Sequence, residues 1–101
     1  MSTPMTAHDP FTPGEILLTE FLEPLGITQY RLAQATGLPQ TRISEIVRGK
    51  RTITTDTALR LSKALGVDDR FWINIQTDYD LEVERDLHAE DLAKVTALVE
   101  S

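Results

Sequence analysis

The chain is predicted to be all-α and to form a single domain, and three observations carry that reading. Apolar residues recur at three- and four-residue intervals in five successive segments, and a glycine closes each of the first four. No stretch alternates apolar and polar residues in the manner of a strand, and there is no internal repeat or low-complexity tract. At 101 residues the chain is long enough to bury roughly 60 to 70% of its unfolded surface in one core, and too short for two.

The first dozen residues are rich in Pro and Thr and have no apolar period, so residues 1–12 are expected to be a flexible arm. A helical domain is expected over 13–90 and a tail over 91–101. Structure should begin at "PGEILLTEFLEPLG", where Ile16, Leu17, Phe21 and Leu25 recur at helical spacing and Pro24 with Gly26 ends the segment. A second helix should run from about Thr28, a good N-cap, to Thr36, with Leu32 and Ala33 inward and Gly37 supplying a left-handed turn. Pro39 suits the first turn of a third helix, buried through Ile43, Ile46 and Val47 and stopped at Gly49.

In "TITTDTALRLSKALG" the Thr-Thr-Asp cluster offers a cap, Ala58, Leu61 and Leu65 share a face, and Gly66 is the stop. Asp68 could cap a fifth helix in which Trp72, Ile75 and Tyr79 form a stripe. The last stretch has Leu92, Val95 and Val99 at helical spacing but little else to hold it, so at most a short extra helix is expected there.

Helices two and three, "TQYRLAQATGLPQTRISEIVRGK", read as a helix-turn-helix, a unit that commonly sets its second helix into the DNA major groove. Ala33 is small where two helices must approach closely, Gly37 permits the turn, and Leu32, Leu38, Ile43 and Ile46 supply the apolar contacts. Thr36 is the soft position, since an apolar residue would pack better there. The third helix then offers Gln40, Thr41, Arg42, Ser44 and Glu45. A glutamine can bond adenine N6 and N7, an arginine can fork onto guanine O6 and N7, and a threonine can meet a thymine methyl. Gln29 and Gln40, each opening a helix, should lie near one another, placing an amide to brace its neighbour and donate to phosphate. Arg48, Lys50 and Arg51 flank the end of the third helix, where they can complement its dipole, touch phosphate, or both.

A formal net charge of −6 argues against binding a polyanion until its distribution is read. Residues 1–26 carry −4, residues 27–63 carry +5, and residues 64–101 carry −7. Exposed charges more than about 8 Å apart are largely screened at physiological salt. A local basic face therefore remains usable in an acidic chain.

The absence of cysteine excludes a disulfide framework and a thiolate zinc site. No apolar run is long enough to span a bilayer and the N-terminus lacks a signal-peptide pattern, so a cytoplasmic protein is expected. One histidine beside acids, His88 with Glu90 and Asp91, is a poor ligand or catalytic set, and His8 belongs to the arm. Neither an enzyme nor a cofactor is expected. Trp72, Ile75 and Tyr79 could line a ligand pocket, but such a stripe is more often core or dimer seam. A helix-turn-helix used only for protein contact would leave the local positive charge without a purpose.

Three segments, "PGEILLTEFLEPLGITQYRLA", "GLPQTRISEIVRGKRTITTDTALRLSKALG" and "FWINIQTDYDL", together resemble the HigA-type antitoxins, also called VapI-like, of the xenobiotic-response-element helix-turn-helix family. The likeness spans about Pro13 to Leu81. It implies a five-helix, lambda-repressor-like domain that dimerises, binds the operator of its own operon, and neutralises a RelE-like, mRNA-cleaving HigB toxin. By the same resemblance the recognition helix falls on Gln40 to Arg48, with Gln40, Thr41, Arg42 and Ser44 as contacts. Gln29 matches the family's helix-two glutamine, "RGKR" at Arg48 to Arg51 matches its loop, and the "FW" and "YDL" of the fifth helix match its signature. The acids from Glu82 to Asp91 are less typical and receive no role. A stand-alone transcriptional regulator without a toxin is the alternative. A homodimer is expected to join through Phe71, Trp72, Ile75 and Tyr79, because so small a domain gains by burying its aromatics against a twin.

Overall fold

The indole of Trp72 is fully buried, and the other helices of the core are arranged around it. The structure is a computed structural model and describes residues 11–100. Most of the expected arm, with His8, lies outside the described residues. Helix α1 (residues 13–25) is α-helical over Pro13–Ile16, widens to a π-helical stretch over Leu17–Leu22, and closes with Glu23–Leu25. Helices α2 (Gln29–Thr36), α3 (Gln40–Val47), α4 (Thr55–Leu65), α5 (Phe71–Leu87) and α6 (Ala89–Ala93) follow, with no strand among the described residues. The all-α expectation and its five main helices hold, and the short sixth helix takes up only the start of the C-terminal stretch.

Each start is set by local chemistry. Thr12, expected to end the arm, instead caps α1: its Oγ1 accepts from the Glu15 amide at 3.1 Å while the Glu15 carboxylate accepts from the Thr12 amide at 2.8 Å. Thr28 caps α2 and Thr54 caps α4 in the same way, by accepting from amides three residues on. Pro39 stands one position before α3, in extended conformation, and its carbonyl accepts from Arg42 and Ile43. The Asp68 carboxylate accepts from the Arg70 amide in the turn leading into α5, which begins three residues after that aspartate.

The π-helical stretch changes which residues of α1 face inward. A wide turn brings positions five apart onto one face, and Leu17 and Leu22 are the buried pair. Leu25, expected in the stripe, is 60% exposed. Beyond the widened turn comes Pro24, which has no amide to close a regular α turn and whose ring would press on the carbonyl four residues back.

The core joins Leu17, Leu22, Leu32, Ile43, Ile46, Ile53, Ala58, Leu61 and Trp72. Phe21 and Phe71 pack against Trp72 at centroid distances of 5.1 and 5.2 Å, and edge-on against each other at 5.7 Å. Trp72 is thereby withdrawn from the expected dimer seam, because a side chain with no exposed surface in its own protomer has none to offer a twin. The stripe on α5 divides accordingly. Trp72 and Gln76 face the core, while Ile75 and Tyr79 are half-buried and line a shallow groove with Phe11 and Ile16.

One contact is closer than any side chain would allow. At Gly14, in the first turn of α1, an added Cβ would stand 1.8 Å from the Ile46 carbonyl oxygen of α3. Alanine normally favours a helix over glycine by ~1 kcal/mol. Here the clash with backbone should reverse the sign: Gly14→Ala is expected to lower stability by about 1–3 kcal/mol in urea unfolding. A variant as stable as the parent would show that α1 and α3 can separate freely.

Candidate nucleic-acid interface

Three residues, Gly37, Leu38 and Pro39, join α2 to α3. Leu32, Ala33, Leu38, Ile43 and Ile46 are all buried between the two helices and the rest of the core. The threonine at position 36 proves useful where an apolar residue was expected to do better. Its hydroxyl donates to the Leu32 carbonyl at 2.8 Å and accepts from the Leu38 amide, so it ties the end of α2 to the turn. From α4, Arg60 Nη1 donates to the Thr36 carbonyl at 2.8 Å while its Nε pairs with Asp56. That guanidinium closes the C-terminal end of α2 and is engaged within the protein.

With Ile43 and Ile46 turned inward, α3 presents its other face to solvent. Gln40 and Thr41 are exposed, and Arg42, Ser44 and Glu45 are half-buried. Gln29 is half-buried at the start of α2. At the far end of α3 the Gly49 amide donates to the Ile46 carbonyl and the Lys50 amide to the Glu45 carbonyl at 2.8 Å. Those two bonds make a Schellman turn, which requires the positive φ of 75° at Gly49. The chain is folded back so that Arg51 Nε reaches Glu45 Oε1 at 2.7 Å. Arg48, Lys50 and Arg51 are all exposed along this turn.

The loop after α3 is held from below. The Ile53 amide donates to Gln76 Oε1 at 2.8 Å, and Gln76 Nε2 donates to Asp80 at 2.9 Å. Gln76 is buried and satisfied at both ends, so the loop is pinned to α5. Between them lies a cleft of about 140 Å³ lined by Thr12, Gly14, Lys50, Arg51, Gln76 and Tyr79.

The electrostatics follow from these contacts. Of the seven basic residues between 27 and 63, Arg51 and Arg60 are paired to carboxylates. Arg42 and Arg48 show no ion-pair partner within 4 Å among the described residues and flank Glu45 on α3. The hydrogen bond from Arg51 and its charge hold the Glu45 carboxyl below the usual carboxylate range, with smaller help from Arg48 and Arg42. Away from this surface, His88 Nε2 lies 3.1 Å from Glu84 on an exposed turn of α5. No helix among the described residues is long and apolar enough to cross a membrane.

A helix-turn-helix family model matches residues 18–72, from the widened turn of α1 to the buried tryptophan. Virulence-associated protein I of Dichelobacter nodosus is 51% identical over 71 residues, which are 70% of this chain and 66% of that protein. Antitoxin HigA-1 of Vibrio cholerae is 39% identical over 93 residues, covering 92% of this chain and 88% of that one. The solved structure of Pseudomonas aeruginosa antitoxin HigA with the higBA promoter superposes with a TM-score of 0.83 at 32% identity, over 89% of this chain and 99% of that chain. The chain belongs to the HigA-type helix-turn-helix family.

The polar residues of α3 and its following loop are legible in the sequence, whereas the groups that hold them are not. From the sequence Glu45 is one more polar residue of α3, Arg60 is one cation within the net charge of residues 27–63, and Gln76 lies unremarked in the fifth helix. The signal for Gln76 in the sequence is its spacing, four residues after Trp72 and so on the same face of the helix. Arg51, read from the sequence as a dipole or phosphate contact, is tied through Nε to Glu45, a partner the sequence did not suggest.

A carboxyl with a lowered folded pKa adds stability above its unfolded value and loses it as pH falls through the folded one. Because both side chains of this pair are more than a third exposed, the visible effect should lie in the titration rather than in overall stability. Carbon-detected NMR should find Glu45 titrating below the usual glutamate range, and Arg51→Ala should move its midpoint up. Equal midpoints in both proteins would mean the pair does not persist in solution.

Proposed function

We propose that this chain is a DNA-binding antitoxin that represses its own operon by binding an inverted-repeat operator as a homodimer, and that neutralises a HigB-type, mRNA-cleaving toxin. The observation that carries the DNA reading is the exposed polar start of α3 beside the one net-positive segment of an otherwise acidic chain. Likeness to a HigA solved with promoter DNA supports it.

In this reading α3 lies in the major groove. Gln40 and Arg42 contact base edges, Thr41 and Ser44 contact a base or its phosphate, and Gln29 donates to phosphate from the start of α2. Arg48 and Lys50 supply point charges along the backbone, and Arg51 joins them from its fixed position. The twin packs against α5 through Phe71, Ile75 and Tyr79, all half-buried in the single chain. Two-fold symmetry then matches half-sites about 34 Å apart or a multiple of it. The domain over 13–90 does the binding, with the arm and tail outside it. The toxin meets one of the acidic stretches, Asp9 to Glu23 or Asp68 to Asp91, as a basic RNA-cleaving protein would.

Fluorescence anisotropy on operator and scrambled duplexes over a salt series separates the roles. Gln40→Ala and Arg42→Ala should each cost ~1–3 kcal/mol on the operator and little on scrambled DNA. Lys50→Ala should weaken both alike and flatten the salt dependence by roughly one unit of slope. Full operator preference in the Gln40 and Arg42 variants would remove α3 from the reading role. Sedimentation at micromolar concentration should show a dimer; a monomer would remove the paired-site picture.

Co-expression should relieve growth arrest by a toxin encoded beside this gene. No adjacent toxin and no rescue of a related one would leave a plain autoregulator.

A further inference from the structure

Glu45 is a carboxylate in the middle of a surface meant for phosphate. It sits on α3 one turn from Arg42 and one turn from Arg48, where repulsion from a DNA backbone should count against it. Its side chain is 37% exposed, and its Oε1 accepts a hydrogen bond from Arg51 Nε at 2.7 Å. The same residue's carbonyl receives the Lys50 amide, so both main chain and side chain of Glu45 hold the loop that carries the cations. The two terminal nitrogens of Arg51 have no partner among the described residues.

We propose that Glu45 is a positioning residue that sets the contrast between operator and non-specific DNA by acting through Arg51. The proposal rests on the DNA reading above and adds to it a selectivity element. Non-specific complexes draw on loose, delocalised charge, and neutralising one guanidinium weakens them. A specific complex fixes one register, and a guanidinium held at Nε offers its remaining donors to a phosphate in that register without first having to be ordered. The carboxylate thus lowers affinity where it is not wanted more than where it is.

The Schellman turn gives the coupling its geometry. Without the reversal at Gly49, Arg51 would continue away from α3 rather than return beside Glu45. Other carboxylates near the basic segment do not share this placement. Asp56 is paired on α4 with Arg60, whose other nitrogen is engaged on the end of α2.

The test compares the parent, E45Q, E45A, R51A and the E45A/R51A double variant by anisotropy on operator and scrambled duplexes across a salt series. E45A should bind scrambled DNA about 5- to 10-fold more tightly at low salt, with a slope steeper by roughly one unit, and operator affinity should change less than about twofold. Operator preference therefore falls about 5- to 10-fold. E45Q, which keeps an oxygen for Nε but loses the charge, should fall between parent and E45A. In the R51A background, E45A should shift the preference less than about twofold, since the group it acts through is gone.

Matching thermal unfolding midpoints would show that the exposed substitutions leave the fold intact. A parent-like preference in E45A overturns the proposal, and so does an equal loss with and without Arg51, which would make Glu45 a direct base contact. A parent protein with no operator preference overturns the DNA reading and this role with it.

Discussion

The backbone of α1 rests directly on the backbone of α3, and the placement of the reading surface depends on that contact. Only a glycine at position 14 lets the two chains meet at the Ile46 carbonyl. Because α1 is also packed on α5, the last turn of α3 rests on a helix that is itself anchored outside the helix-turn-helix. Ile43 and Ile46 are buried in one core with Leu17 and Trp72, which turns the polar face of α3 to solvent. A bihelical unit on its own could set an angle between two helices but could not fix the pair as a rigid body.

Around that fixed helix the protein distributes its cations unequally. Arg60 is drawn into the end of α2, where it satisfies a carbonyl that helix geometry leaves open, and Arg51 is drawn to Glu45. Arg42, Arg48 and Lys50, on α3 and the turn after it, show no ion-pair partner among the described residues. The local excess of positive charge thus overstates the number of free cations, while the geometry of those that remain is better defined than a charge count implies. The acids in the C-terminal part lie mainly on α5 and beyond, in another element from α3 and its loop.

Helix α5 serves two environments along one length. Its first turns supply Trp72 to the core and Gln76 to the loop after α3, so the helix that would meet a twin also holds the surface that would meet DNA. Its later turns, from Thr77 onward, are largely exposed and carry all of the helix's acidic residues. A dimer built on Phe71, Ile75 and Tyr79 would bear on the same segment that pins Ile53. The buried Gln76 amide would then link the two surfaces directly, alongside the packing of α1 on both helices.

The helix-turn-helix and its caps were legible because their causes are local. Threonine before a helix, glycine after it and apolar residues at three- and four-residue intervals act within a few positions, and Thr28, Gly37 and Thr54 behave as their neighbours dictate. The exposed set on α3 followed from knowing which face Ile43 and Ile46 must bury. What the sequence alone could not determine were contacts between residues far apart in it or in an altered register. The widened turn of α1 moved Leu22 inward and Leu25 out, although the run had read as a regular helix. Trp72 went to the core rather than to a seam because Phe21 stood opposite it, fifty-one positions earlier. Arg51 found Glu45 because a turn reversed the chain, and Ile53 found Gln76 twenty-three residues on. Periodicity states which faces of a helix are apolar; only the packed chain decides whether such a face meets its own core or remains for a partner.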